Sequence, residues 1–343
     1  MVSQKDISKI AGVSQKTISL YFLHPEKIAP DTRERIRKAV DDAKYFPNLA
    51  ARTMRNRRFN RIACVVPQNG MIELYPQSHL LAYLNGIAME LANYDFSLVY
   101  VPVFLYDAGK PIVYHEFFSS ISADGIIGIP GKGMPNEIDE KMNNLGLPVL
   151  WLNRPAEDGI VTIEYDETAG IADFAEYARR MHLRTCGWFG PKYGVADAHY
   201  TSKLRFEAVC SELGKRGCAV TKKYFTEHRE SVMEAAERFL HSLGDEIPEI
   251  TVCYNSDYYS FLERCAGKSA DSRIRRMELI YFASSHEYHY LREYRVNQIR
   301  IPEFDMGRLG AKTIYSVLNG DPVKQLDPLP TVFAEFGKCG GGE

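Results

Sequence analysis

A glycine stop between two short helical patterns constrains this chain more than any other feature. Ser3 followed by Asp6 reads as a capping box with Asp in the third place. Ile7, Ile10 and Ala11 then share one helical face. Gly12 suits the left-handed position that closes a helix, and Val13 plugs the turn. Ser14 caps a second helix that turns Thr17, Ile18 and Tyr21 one way and Gln15, Lys16, Ser19 and Leu20 another. Pro30 opens a third helix, whose buried stripe is Ile36, Ala39, Val40 and Ala43. Helices this short must bury their stripes against one another, so residues 1–46 are expected to form a helix-turn-helix domain.

A basic segment follows. Pro47-Asn48 starts a stretch, Leu49 to Arg55, of helical composition with little to pack on, too short to be stable alone in water. Such a segment either stays a basic linker or folds on binding. Residues 1–61 carry fourteen Lys/Arg against six Asp/Glu, a net of +8, while the whole chain is −2, leaving −10 for the rest. A basic head on an acidic body suits a head that binds polyphosphate. A second helix opening on Gln and Lys beside a tight turn can set amide and ammonium groups on base edges in the major groove.

These residues carry a resemblance. Asp6 to Ser14 with Thr17-Ile18-Ser19, then Thr32-Arg33-Glu34-Arg35-Ile36, then Tyr45-x-Pro47-Asn48-x-Ala50-Ala51-Arg52-x-Met54 resemble, without a gap, the DNA-binding module of the LacI/GalR family of bacterial repressors. The resemblance implies a DNA interface of Ser14, Gln15, Lys16, Thr17, Ser19 and Leu20 on the head. On a hinge helix within 47–60 it adds Asn48, Ala51, Arg52, Met54, Arg55 and Arg57. Gln15, Lys16 and Leu20 would read bases, Met54 would wedge into the minor groove, and the arginines would meet phosphates. Leu20 stands where the family usually has Arg, and Leu23 where it usually has Asn, so an operator unlike the usual one is expected.

From Arg61 the pattern changes. Apolar runs at Ile62–Val66, Leu98–Val101, Gly125–Ile129, Val149–Leu152, Cys186–Phe189, Ile250–Tyr254 and Leu279–Phe282 alternate with helical stretches such as Leu80–Asn93 and Tyr200–Arg216. That alternation predicts parallel sheets with helices on both faces, in two tandem halves with a ligand cleft between them. It matches the α/β periplasmic-binding-protein-like body of the same family: two doubly wound parallel-sheet subdomains, roughly 61–155 and 185–285, within an effector-binding and dimerisation domain 61–336, then a tail 337–343. By position the resemblance implies effector-binding roles for Arg205, a guanidinium fork, and Asp257, a carboxylate that accepts from vicinal hydroxyls. The plainer local readings are a surface ion pair for Arg205 and a helix cap for Asp257, and the ligand role is preferred for both. Tyr281-Phe282-Ala283-Ser284-Ser285 replaces the family's Gly-aromatic-Asp-Asp element, which implies an unusual ligand or a vestigial cleft.

Other chemistry is thinly supported. The seven cysteines are scattered, and Cys64, Cys186 and Cys253 lie in apolar runs, which reads as buried reduced thiols. His286 and His289 lack a third ligand at metal spacing, so no metal and no cofactor are expected. Glycines before helices lack a P-loop or paired-glycine pattern and read as turn glycines. There is no nucleophile elbow, so an enzyme is not expected. No apolar run spans a bilayer and the N-terminus is polar, which points to the bacterial cytoplasm, with DNA at the nucleoid. The expected protein is a homodimer on a pseudo-palindromic operator, a repressor governed by a small-molecule effector, most simply a carbohydrate. The alternative is a small-molecule-binding or enzymatic protein on the same body with a vestigial head.

Overall fold

The structure, a computed structural model, describes residues 3–23, 25–43, 58–69, 78–105, 122–130, 136–155, 157, 160–194, 201–227, 230–284, 296–322 and 326–335. The chain divides into two compact units, Met1–Phe59 and Asn60–Glu343.

The first unit holds three helices, α1 (Gln4–Ile10), α2 (Gln15–Leu23) and α3 (Pro30–Asp42), with a 3-10 turn at Pro25–Lys27. The capping box forms as the sequence requires. Ser3 Oγ accepts from the Asp6 amide at 3.3 Å, and Asp6 Oδ2 accepts from the Ser3 amide at 3.0 Å. Gly12 sits at φ +62°, so the turn needs glycine there. Ile7, Ala11, Ile18, Ile28, Ile36 and Ala39 form the buried core, with Val13, Leu20, Tyr21, Phe22, Val40 and Ala43 packed around it.

The second unit is built on two sheets. The first runs β2-β1-β3-β4-β5, all parallel: β1 (Arg61–Asn69), β2 (Ser97–Leu105), β3 (Gly125–Gly128), β4 (Val149–Leu152) and β5 (Thr162–Ile163). The second runs β13-β11-β10-β9-β7-β8. It contains β7 (Thr185–Pro191), β8 (Ala219–Thr226), β9 (Ile250–Cys253), β10 (Glu278–Ser284), β11 (Gln298–Ile301) and an antiparallel edge strand β13 (Val332–Ala334). Each expected apolar run lies in one of these strands, fully buried in β3 and β9 because helices cover both faces. The expected doubly wound α/β body is therefore what the chain adopts. β8 and β11 went unread. β8 alternates half-exposed residues at a sheet edge, and β11 has only four residues.

The helices are α4 (Ser78–Ala92), α5 (Asn136–Asn144), α6 (Glu167–Arg180), α7 (Thr201–Gly214), α8 (Val232–Leu243), α9 (Ser256–Gly267), α10 (Ser272–Arg276) and α11 (Glu303–Leu318). The chain passes between the sheets three times. It leaves β5 through β6 (Tyr165–Asp166) into α6, which packs on β11 and β13. It leaves β11 into α11, which packs on α4, β3 and β4. It returns through β12 (Leu329–Pro330), paired with β6, into β13.

Among the glycines read as lying before helices, Gly170 and Gly307 fall inside them, in α6 and α11. They mark close approach. A methyl group on Gly307 would meet the Tyr83 carbonyl, and one on Gly86 the Phe304 carbonyl, so α4 and α11 cross backbone to backbone.

Candidate nucleic-acid interface and ligand cleft

In the head, Ser14 Oγ accepts from the Thr17 amide at 3.0 Å and meets Thr17 Oγ1 at 2.8 Å. Both oxygens are thus spent on starting α2. Gln15 and Lys16 follow immediately and are exposed. Ser19 accepts from Gln4 Nε2 at 2.8 Å, tying α2 to α1. Leu20 is half-buried against the head core. Of the head residues proposed to touch DNA, Gln15 and Lys16 therefore keep their polar ends outward, beside a fixed helix start. Sequence reading passed over Arg35, whose Nη2 donates to the carbonyls of Ala11 at 2.7 Å and Gly12 at 3.3 Å. It satisfies the end of α1 and locks α3 to the turn. Asn48, Ala51, Arg52, Met54, Arg55 and Arg57 lie outside the described residues.

In the body, each sheet reverses its winding at one place, between β1 and β3 in the first and between β7 and β9 in the second. Ligands in such sheets bind beyond the carboxyl ends of the strands at the reversal. The helices after β7 and β9 carry Arg205 and Asp257, so the topology brings both to one rim.

Arg205 is 4% exposed. Its Nε donates to Glu167 Oε1 at 2.9 Å, Nη1 to the Tyr254 carbonyl at 3.0 Å and Nη2 to the Tyr165 hydroxyl at 2.8 Å. Its guanidinium lies 4.8 Å from the Tyr254 ring centre and 4.5 Å from that of Phe282. The local reading as a surface ion pair fails: the pair is buried. Burial works against the Arg205 charge, but Glu167, Tyr165 and Tyr254 together more than offset this and hold the guanidinium well above its ordinary value. Burial pushes the Glu167 carboxyl up, against the pull of Arg205 and Tyr165.

Asp257 is an exposed residue in the first turn of α9. It is not the cap. Asn255 Oδ1 takes that place, accepting from the amides of Asp257 and Tyr258 at 3.1 Å each. The Asp257 carboxylate is free of the capping duty that sequence reading allowed it. The protein bulk around it pushes its carboxyl up, and the charge of His79 opposes this. Tyr258 and Tyr259, which follow Asp257, are core residues. Tyr258 bonds Thr226 at 2.7 Å, and Tyr259 stacks on Tyr281.

Sequence reading also missed three buried oxygens near Arg205 and the strand ends. Glu167 Oε2, Ser202 Oγ and Ser284 Oγ have no hydrogen-bond partner among the described residues. Ser202 and Ser284 are each 1% exposed. Ser284 ends β10, and Ser202 opens α7. Buried oxygens without partners are costly, and a polar ligand would satisfy them.

The remaining chemistry is quiet. No group of three or more His, Cys, Asp or Glu among the described residues could hold a metal ion. The six cysteines described are free, and Cys64, Cys186 and Cys253 are buried, as expected of apolar runs, as is Cys218. His286 and His289 lie outside the described residues. No helix among the described residues is long and apolar enough to cross a membrane.

Comparison with known proteins agrees with the head and the body. Residues 3–48 match the model of bacterial regulatory proteins, lacI family. The chain is 23% identical over 198 residues to the HTH-type transcriptional regulator CelR of Thermobifida fusca, covering 55% of this chain and 56% of that one. It is 18% identical over 323 residues to catabolite control protein A of Staphylococcus epidermidis, covering 93% of each. Among the first relatives the aligned share of the relative's length is 56%, 62% and 52%, a little over half. Of solved structures, the lac repressor dimer bound to operator and the anti-inducer ONPF superposes with TM-score 0.70 at 15% identity, covering 98% of both chains. A CelR–cellobiose complex superposes with TM-score 0.63 at 16% identity, covering 98% of this chain and 99% of that one. Residues 3–48 thus carry the helix-turn-helix of the lacI family of bacterial regulatory proteins, and the first relatives with which the chain aligns are HTH-type transcriptional regulators.

Proposed function

We propose that this protein is a dimeric, sequence-specific repressor in the bacterial cytoplasm whose hold on a pseudo-palindromic operator is set by a small-molecule effector, a sugar or sugar derivative. The observation that carries the DNA half is the start of α2. Ser14 and Thr17 spend their oxygens on the helix cap, and Gln15 and Lys16 project from it. Gln pairs in bidentate fashion with adenine, and Lys reaches guanine O6 or N7. The hinge residues Asn48, Ala51, Arg52, Met54, Arg55 and Arg57 complete the interface, with Met54 as wedge.

The effector half is supported by the three buried oxygens without partners among the described residues and by Asp257, which is released from capping. A ligand rich in hydroxyls satisfies acceptors and donors alike, which an apolar ligand cannot. Arg205 acts here through the atoms it leaves over. Three of its five donors are engaged by the protein. The superposed lac repressor and CelR structures, with operator and anti-inducer in one and cellobiose in the other, support the same reading by analogy. Control is a population shift: the effector must bind DNA-competent and incompetent bodies unequally.

The test is selection of genomic fragments by the purified full-length protein at two salt concentrations, with and without mono- and disaccharides. An inverted repeat retained at the higher salt, and released by one sugar, supports the reading. Retention without a common site, lost at the higher salt under every condition, overturns it.

A further inference from the structure

The end of the second sheet away from the candidate effector rim holds a cavity. The rim lies at the carboxyl ends of the strands, where β10 stops at Ser284. Glu278 opens β10 six residues earlier, about 20 Å away at the usual rise of a strand. Around it lies a cavity of about 270 Å³, bounded by the start of β10, the residues before β11, the last turns of α9 and the short α10. Small-molecule pockets begin at about this size, ~300 Å³.

Its lining is apolar below and acidic to the side. Met277 and Leu279 are buried, with Ile274 and Val296 half-buried beside them. Tyr259 forms one wall, stacked on Tyr281 with ring centres 4.7 Å apart. Glu263 is exposed, four residues after Tyr259 on the same face of α9. Glu278 is half-buried and held in place. The Tyr177 hydroxyl donates to its pair of oxygens, 3.0 and 3.2 Å away, and Asn297 Nδ2 donates to Oε1 at 2.6 Å. A carboxylate has about four acceptor positions, so Glu278 is fixed without being filled.

The other charges leave the sign unchanged. α9 ends at Gly267, which lines the cavity, so the negative end of that helix faces it. Among the described residues the one cation in the lining is Arg275, whose Nη1 is engaged by the carbonyls of Ser269 and Ala270. Arg264 and Lys268 are exposed, but helical spacing puts them round the far side of α9 from Tyr259 and Glu263.

We propose that this cavity is a second small-molecule site, apart from the effector cleft, and that it takes a small organic cation: a primary ammonium group on a short apolar body. The ammonium meets Glu278 and Glu263, and the Tyr259 ring and the end of α9 add to the attraction. The apolar body covers Met277, Leu279 and Val296. An anion of the same shape would face two carboxylates, and a neutral alcohol would gain only ordinary hydrogen bonds. The site stands whether or not the protein governs an operator.

The test uses the full-length protein and three probes of one shape: 3-methylbutan-1-amine, charged at neutral pH, the matching alcohol, and the matching carboxylate, 3-methylbutanoate. Leucine serves as the zwitterion. Saturation-transfer NMR titrations give each dissociation constant. The amine is expected to bind at least about tenfold more tightly than the alcohol or the carboxylate, the advantage of charge-assisted hydrogen bonds. Glu263→Gln changes an exposed side chain, and Glu278→Gln keeps an oxygen for Tyr177 and Asn297. Each should weaken the amine by about fivefold or more. Asp257→Asn, at the effector rim, should leave it unchanged. Circular dichroism checks each fold, and Glu263→Gln decides the matter alone if Glu278→Gln does not fold. Absence of saturable amine binding up to about 10 mM overturns the proposal. So does amine binding that Glu263→Gln leaves intact, or that Asp257→Asn weakens as much. Leucine or 3-methylbutanoate binding at least as tightly as the amine overturns the choice of a cation.

Discussion

Arg205 and Glu167 meet inside the body with 2.9 Å between Nε and Oε1, on two consecutive helices that pack together, α6 and α7. Glu167 opens α6 directly after the crossover from the first sheet. The pair therefore joins the crossover to the helix that carries the candidate ligand rim. A buried ion pair stabilises little in itself, but removing one partner strands the other.

Arg205→Ala is accordingly expected to cost about 3–5 kcal/mol, because the Glu167 carboxylate stays buried without its cation. Arg205→Lys keeps the charge but loses the planar fork that reaches Glu167, Tyr254 and Tyr165 together, and should fall between wild type and Ala. Urea unfolding of the three proteins checks the order. Near-wild-type stability of Arg205→Ala would show that the pair contributes nothing to the body.

The crossing of α4 and α11 gives a sharper steric expectation. Gly307→Ala would drive a methyl group into the Tyr83 carbonyl, which is backbone and cannot swing away. The helices must separate, at about 1–3 kcal/mol. Gly214→Ala, at a helix end with nothing within 4 Å of the added carbon, is the control and should be neutral or stabilising by up to about 1 kcal/mol. Denaturant midpoints of the two variants decide it.

What the sequence made legible, and what it hid, follows from how local each signal is. The head was readable residue by residue because caps and turns act over three or four positions: Ser3 with Asp6, Gly12 at its left-handed φ, Ser14 with Thr17. The buried strands were readable because both faces are covered and polar residues drop out. Arg205 was placed on the right rim by resemblance, but its partners were not. Glu167 and Tyr165 lie about forty positions earlier, and only the crossover brings them back. Asp257 and Asn255 could each have capped α9, and geometry alone chose Asn255. That Gly307 serves a close approach of helices was not legible, because a helical glycine needed for packing looks like any other in one sequence.

The proposed dimer has a candidate surface on α4. Leu81, Ala88, Met89 and Ala92 are exposed along one side of that helix, Met89 at 61%, beside the edge strand β2 and the exposed Tyr100. An apolar stripe at helical spacing next to an open sheet edge suits a second copy of the same surface. Met89→Glu with Leu81→Glu is expected to shift the protein from dimer to monomer in light scattering at micromolar concentration. A double variant that stays dimeric would place the interface elsewhere.

Tyr177 supplies a pH test of the second sheet. Its hydroxyl donates to Glu278, with contacts of 3.0 and 3.2 Å to the two oxygens. Burial first, then the Glu278 charge, push its phenol up to about 12. Its folded value lies above its unfolded value of about 10, so its contribution to stability is whole below pH 10 and is lost as pH rises toward 12. Tyr177→Phe should be less stable than wild type by about 1.5–3 kcal/mol at pH 8, the worth of a hydrogen bond to a charged group. That gap should close with rising pH. Unfolding free energies at pH 8 and pH 11 measure it, and a constant gap would mean the hydroxyl matters only through packing.

The DNA reading makes its clearest demand on Lys16 and Gln15. Both are exposed at the start of α2, and neither belongs to the head core. Lys16→Ala and Gln15→Ala should leave the head as stable as before, yet change base preference at single operator positions by about 1–3 kcal/mol each. Ser14→Ala should instead cost about 1 kcal/mol of head stability, through the lost cap, and weaken binding to all sequences together. Arg57→Ala should lower affinity alike for every sequence and reduce the salt slope by about one. Binding of each variant to an operator library at two salt concentrations separates the three patterns. If Lys16→Ala and Gln15→Ala leave preference unchanged, base reading lies elsewhere on the head.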